Sequence, residues 1–256
     1  MLDSNRLIYT EYEDPRAGTI AGFEEGSSGP LLLGTDKETG NQYIIKHTYP
    51  HNAANEYVCC ALAKKLEIAA PEAYLLSPNE RFSTKYAVAI EYLDGIKEIE
   101  KENLSTQMKK DICRGYAFQY AFAQSDLVSI RQWKDRIVTF DFSETFNMDG
   151  MSFLLKMLET TPEAAEEFLG RYLYGFKNSI TADLDYANVF ERNYGIDPEF
   201  TMDMIDDLKI RLSEILDPDI YEICDELDLM YPSEVSLYYE FAIQAVRDHW
   251  QKELGT

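Results

Sequence analysis

"NQYIIKHTYPHNAANEYVCCALAKKLEIAAPEAYLL", residues 41–76, carries a strand, a helix and a second strand in one run. "QYIIK" is a short apolar stretch bounded by turn-forming "TDKETGN" and by "HTYP", and it reads as a strand that ends in Lys46. "HNAANEYVCCALAKKLEI" then places Tyr57, Cys60, Ala61, Lys64 and Lys65 at helical spacings, and Val58, Leu62 and Leu66 fill an apolar stripe. Asn52 or Asn55 is available as the N-cap of that helix, and Glu56 stands early in it. "PEAYLL" returns to a β-prone pattern.

Working outward, "GFEEGSSGPLLLGTDKETG" upstream joins a glycine-rich turn at Gly26, Ser27, Ser28 and Gly29 to the run "LLLG", which pairs with "QYIIK" as a hairpin. The residues before it read as a polar start. Downstream, "KYAVAIEYL" is another strand, so this part has the order β-β-α-β-β. "LSTQMKKDICRGYAFQYAFAQ", residues 104–124, opens on a Ser105 cap and is apolar nearly all round, the pattern of a helix buried under other layers. In "SDLVSIRQWKDRIVTFDFSETF", residues 125–146, two short strands joined by a turn at "KD" bring Asp126 and Asp141 to one end of a hairpin. Beyond residue 147 the pattern is helical throughout, with Thr161 and Pro162 opening one helix and with amphipathic spacing and early acidic residues in "DPEFTMDMIDDLKIRLSEIL" and "PSEVSLYYEFAIQAVRDHWQKEL". The expected class is α+β: a β-rich part over residues 1–93 and a mostly helical part over 94–256 that carries the hairpin at 125–146.

A chain of 256 residues that is 45% hydrophobic and 27% charged is able to bury a substantial core. The formal charge of −22, from 46 acidic against 24 basic residues, repels polyanions, so nucleic acid is a poor partner. No run is long and apolar enough for a membrane span, and the first residues lack the basic and apolar regions of a signal peptide, which makes the cytoplasm the default compartment. The four cysteines show neither zinc-type spacing nor a disulfide framework.

Phosphoryl transfer from a nucleotide needs a phosphate cover, a cation, metal-holding carboxylates and a base, and each has a candidate. Backbone N–H groups around Gly26, Ser27, Ser28 and Gly29 offer the cover. Lys46 offers the cation, with Glu56 placed to hold it. The connection "AIEYLDG" exposes backbone at Glu91, Tyr92 and Leu93 to an adenine ring. Asp126 and Asp141 supply one carboxylate to orient a hydroxyl and one to hold Mg²⁺. Asp141 is the stronger candidate, because an acid among Phe140, Phe142 and Phe146 is costly to bury unpaired.

The order of these pieces, with a strand-borne lysine followed by an Asn-Glu helix start, an "LA..L" stripe and a "PEA" strand, resembles HipA-like kinases. The resemblance runs from Gly26 through "AIEYLDG" to "SDLVSIRQWKDRIVTFDFSETF" and covers about half the chain. It implies a bilobed protein-kinase-like fold that binds ATP and Mg²⁺ and, in active relatives, phosphorylates serine or threonine on a protein substrate, sometimes as the toxin of a toxin–antitoxin pair. Carried over, Lys46 meets the nucleotide phosphates, Asp126 is the catalytic aspartate and Asp141 the metal aspartate. The family's catalytic loop reads Asp-Arg-His-x-x-Asn, whereas here Asp126 is followed by Leu127, Val128, Ser129, Ile130 and Arg131. Arg131 thus replaces a metal-binding amide, and a guanidinium has no acceptor to ligate a metal. It is left to neutralise phosphate charge or to pair with Asp141 or Asp126. Only a short arm precedes the glycine-rich turn, where longer HipA-type toxins carry a further N-terminal subdomain. Three readings stay open: a kinase with an altered loop, a pseudokinase that serves as an interaction module, and a nucleotidyl transferase.

Overall fold

The computed structural model describes residues 1–12, 30–123, 128–143, 145–146, 149–180 and 187–255. Its fold is α+β, with a small antiparallel sheet in the first part and helices through most of the rest. The strands are β1 (Leu7–Tyr12), β2 (Leu31–Asp36), β3 (Gln42–Lys46), β4 (Ala73–Leu76) and β5 (Ala87–Glu91), arranged β1-β2-β3-β5-β4. Helix α1 (Pro50–Lys65) crosses from β3 to β4.

The strand β1 corrects the reading of a polar start. Among the described residues it pairs only with β2, from Leu7 opposite Asp36 to Tyr12 opposite Leu31, and buries Leu7 alone. An edge strand whose other residues stay partly or wholly in solvent shows no apolar run.

Period-two alternation explains how α1 meets the sheet. Tyr43 and Ile45 of β3 pack with Leu7, Leu76 and Phe82 on one face. Ile44 and Lys46 point to the other, where Val88 and Ile90 of β5 lie against Ala53 of α1. The opposite side of α1, with Val58, Leu62 and Leu66 buried, joins the large helical core. A helix sandwiched in this way is apolar on most of its circumference. Its start also departs from expectation: Pro50 occupies the first turn, Tyr49 is the N-cap without a side-chain hydrogen bond, and Asn52 and Asn55 lie inside the helix, buried.

Helix α2 (Thr106–Ala121) begins as expected at Ser105, whose hydroxyl accepts from the Met108 N–H at 3.1 Å. It supports the hairpin β6 (Ser129–Trp133) and β7 (Arg136–Phe140), which turns at Lys134 and Asp135. Gly115 allows close approach there, since a Cβ at that position would lie 3.2 Å from the Thr139 Cβ. Asp111, 5% exposed, accepts from Arg136 Nε at 2.7 Å, Arg136 Nη2 at 2.9 Å and the Ile137 N–H at 3.1 Å, so one carboxylate fixes the hairpin to the helix.

The remaining described elements are helices: α3 (Asp149–Thr160), α4 (Pro162–Ser179), α5 (Ala187–Tyr194), α6 (Pro198–Ser213), α7 (Asp217–Asp228) and α8 (Ser233–Leu254). Among the described residues no helix is long and apolar enough to cross a membrane. All four cysteines are free and buried.

Asp111→Ala removes four charge-assisted bonds, the fourth from Gln107 Nε2 at 2.9 Å, and leaves the Ile137 N–H without that acceptor, while Arg136 retains partial access to solvent. A loss of about 2–3 kcal/mol in urea unfolding is expected, with an unchanged m-value.

Candidate functional site

Three of the expected site residues converge on one point. The ammonium of Lys46, at the end of β3, lies 2.5 Å from Glu56 Oε1 on α1 and 2.7 Å from Asp141 Oδ1, just after β7. The lysine is 8% exposed and Glu56 1%, whereas about half of the Asp141 side chain remains accessible. Glu56 is more than a turn inside the helix and is buried, so it is not the first-turn acid of a solvated N-terminus.

A residue that the sequence reading passed over completes the cluster. The hydroxyl of Ser143, 3% exposed, accepts from Lys46 Nζ at 3.0 Å and lies 3.0 Å from Asp141 Oδ1 and 3.3 Å from Glu56 Oε1. Its only sequence signal is its place two residues after Asp141. An ammonium has three N–H groups, and Glu56, Asp141 and Ser143 take all three. An incoming anion must therefore replace one of them, and Ser143 is the neutral partner at the longest distance.

Burial pushes the Lys46 ammonium toward losing its proton, but the attraction of Asp141 and Glu56 outweighs it, and the pKa is raised above the usual lysine value. Burial raises that of Glu56, against the pull of Lys46. Two carboxylates against one ammonium leave the cluster with a formal charge of −1, and its accessible part is a carboxylate.

Asp141 adopts φ +61°, a left-handed conformation in which a non-glycine residue is strained. Phe142 follows it into the core, fully buried, with its ring edge-on to Phe118 at 5.8 Å. The carboxylate is thereby directed toward Lys46 while the next side chain anchors the segment.

The other expected residues are distributed around this point. At the end of β5 the Glu91 N–H donates to the Glu72 carbonyl and the Tyr92 N–H to that of Gln42, so both are engaged within the sheet. Leu93 is buried and its carbonyl accepts from the Ile96 N–H. Arg131 lies in mid-strand opposite Val138, with its Nε 2.9 Å from Glu98 Oε1 and its Nη1 donating to the Ile130 carbonyl. Among the described residues its ion pair is with Glu98. Gln132, the neighbour of Arg131 on β6, is buried, and its Oε1 accepts from the Glu100 N–H at 3.1 Å. Gly26, Ser27, Ser28, Gly29 and Asp126 lie outside the described residues. Among the described residues no group of three or more His, Cys, Asp and Glu side chains is arranged to hold a metal ion.

No protein-family model matches this chain, and no curated protein matches it. Among solved structures it is similar to the crystal structure of a Helicobacter pylori proinflammatory kinase, CtkA, at 16% identity over 93% of this chain and 91% of that one, with a TM-score of 0.48.

Lys46→Met leaves Glu56 and Asp141 facing each other without a cation. A loss of about 3–5 kcal/mol is expected at neutral pH, the cost of breaking a buried pair. Burial already holds the Glu56 pKa above its ordinary 4.5, so in the variant the folded state binds a proton more tightly than the unfolded chain does. The deficit relative to the parent is therefore full above the raised folded value and shrinks as pH falls toward and below 4.5. Urea titrations of both proteins across that range measure it.

Proposed function

We propose that this chain is a HipA-like, ATP-dependent protein kinase that transfers a phosphoryl group to serine or threonine on a protein substrate. The observation that carries the reading is the Lys46 ammonium held between Glu56 and Asp141. A strand lysine fixed by a helix glutamate, beside an aspartate at the end of a hairpin, is the set that protein kinases use on nucleotide phosphates. The sequence Asp141-Phe142-Ser143 stands where the kinase signature reads Asp-Phe-Gly, with the phenylalanine packed inward.

In this reading the phosphates displace Ser143 from Lys46, and the ammonium neutralises charge on their oxygens. Glu56 keeps the lysine in place. Adenine meets the backbone at Glu91 and Leu93, and the segment from Gly26 to Gly29 covers the phosphates. Asp126 orients the acceptor hydroxyl and takes its proton as the oxygen attacks the γ-phosphorus, while the bond from that phosphorus to the bridging oxygen breaks and ADP leaves. Mg²⁺ commonly binds through one or two protein carboxylates together with substrate phosphates, and the accessible Asp141 carboxylate suits that role without a dedicated protein cage. When bound, the ion neutralises charge that builds on the transferring group. A cytoplasmic setting and a toxin-related role accompany the family reading.

One observation favours a second reading. Arg131 stands where the family keeps a metal-binding amide, and it pairs with Glu98. A pseudokinase that binds a protein partner without transfer accommodates that replacement.

Two measurements separate these. Saturating ATP with Mg²⁺ at about 100 times Kd stabilises the folded state by about 2.7 kcal/mol, and a melting rise of several degrees is expected, most of it lost without the metal or in Asp141→Ala. Incubation with labelled ATP is expected to transfer the γ-label to protein, and Asp141→Ala to abolish it. Retention of α-label points to nucleotidyl transfer instead. A melting rise without any transfer supports the interaction module.

A further inference from the structure

One turn of α1 carries a polar junction that the phosphate chemistry does not use. Asn55 is fully buried beside Glu56. Its Nδ2 donates to the carbonyl of Ser143 at 2.8 Å and to that of Thr145 at 2.8 Å, and its Oδ1 accepts from the Tyr239 hydroxyl of α8 at 2.6 Å. Both amide hydrogens and the amide oxygen are thus engaged, on residues 88, 90 and 184 positions away. Burial pushes the Tyr239 phenol well above its usual range, so the hydroxyl remains a donor.

The surroundings reinforce the same junction. The Thr145 hydroxyl donates to the Phe142 carbonyl at 2.7 Å and lies 3.3 Å from Cys59 Sγ on α1. The Phe146 N–H donates to the Phe122 carbonyl at 2.7 Å, and the Phe146 carbonyl accepts from Tyr238 at 2.6 Å. A further tyrosine, Tyr231, donates to the Pro50 carbonyl at the start of α1. The segment after Asp141 is therefore bound to α1 on one side and to α8 on the other.

We propose that Asn55 is a positioning residue, which through its bonds to Ser143, Thr145 and Tyr239 holds the Asp141 segment and Glu56 in register and makes α8 part of the site's support. This rests on the kinase reading for its consequence, since the group so positioned is the metal aspartate. The junction itself does not depend on that reading. A plain asparagine cap at the helix start would need none of these bonds. A merely packed core residue would not couple one amide to two carbonyls of a single segment, and loss of a direct hydrogen-bond partner of a metal ligand, one step closer than Asn55, typically costs roughly 10–100-fold in metal affinity.

The test compares the full-length parent with Asn55→Ala and with Tyr239→Phe, which removes one hydroxyl and keeps the ring. Amide exchange by NMR is read at Thr145 and Phe146 and, as a control, at Ile45 and Ala89 of the sheet. ATP affinity is measured with and without Mg²⁺. Exchange at Thr145 and Phe146 is expected to rise about tenfold in both variants, with the sheet amides unchanged. The gain in ATP affinity that Mg²⁺ confers is expected to fall roughly 10–100-fold in Asn55→Ala, and less in Tyr239→Phe, while metal-free affinity changes by less than about twofold. Unchanged exchange at Thr145 and Phe146 overturns the proposal. So does an equal fall of both affinities, which marks a purely structural role. If the parent binds no ATP, the kinase reading fails and the exchange data alone decide whether Asn55 holds the segment.

Discussion

A nearly buried ammonium between two carboxylates, Lys46 with Glu56 and Asp141, is the constraint on which the rest of the structure depends. Taking ions out of water costs several kcal/mol each, and the attraction between them offsets that only when the geometry is held closely. The three partners come from a strand, a helix and the end of a hairpin, so no local segment is able to provide that geometry. Ile44 and Lys46 have to face α1, which places Ala53 on Val88 and Ile90. The hairpin has to sit against α2, and the Asp111–Arg136 pair together with the close approach at Gly115 holds it there.

Asp141 shows how the core and the site share one stretch of backbone. Asp141 and Ser143 both reach Lys46 while Phe142 between them enters the core, the sidedness that alternation along an extended run gives. Asp141 itself adopts a left-handed φ, and strain of that kind costs about 1–3 kcal/mol and persists only where the surroundings over-determine it. The aromatic packing of Phe142 on Phe118 and of Phe146 on Phe122, Phe176 and Tyr239 provides the surroundings. The Asp141 carboxylate is thus fixed by hydrophobic burial of the residues that follow it.

Much of this was legible in the sequence because it follows local periodicity. The strand–helix–strand run around Lys46, the Ser105 cap and the turn at Lys134 and Asp135 are each signalled by neighbours within a few residues. The α+β class and the candidacy of Lys46, Glu56 and Asp141 followed from the order of those elements. What escaped was long-range. Asn55 near a helix start has the composition of a cap, and only the fold brings Ser143, Thr145 and Tyr239 to it. Ser143 is one small hydroxyl among several in "DFSETF" and has no periodic signature. The strand β1 was hidden because an edge strand needs little apolar surface. Arg131 was placed by its spacing from Asp126, yet its partner, Glu98, lies on the connection that follows β5.

Charge links the site to the chain as a whole. A protein of net charge −22 repels a free polyphosphate at long range, and the accessible part of the Lys46 cluster is itself a carboxylate. The single ammonium already has three partners, so the site offers little attraction to an anion that arrives alone. In the proposed kinase reading a nucleotide carrying a divalent cation would meet different conditions: its charge is reduced, Asp141 would hold the cation instead of repelling the anion, and Ser143 would yield its place on Lys46 to a phosphate. In that reading the acidic surroundings would favour a metal-bound nucleotide over a bare one, with Asp141 as the group through which the selection acts.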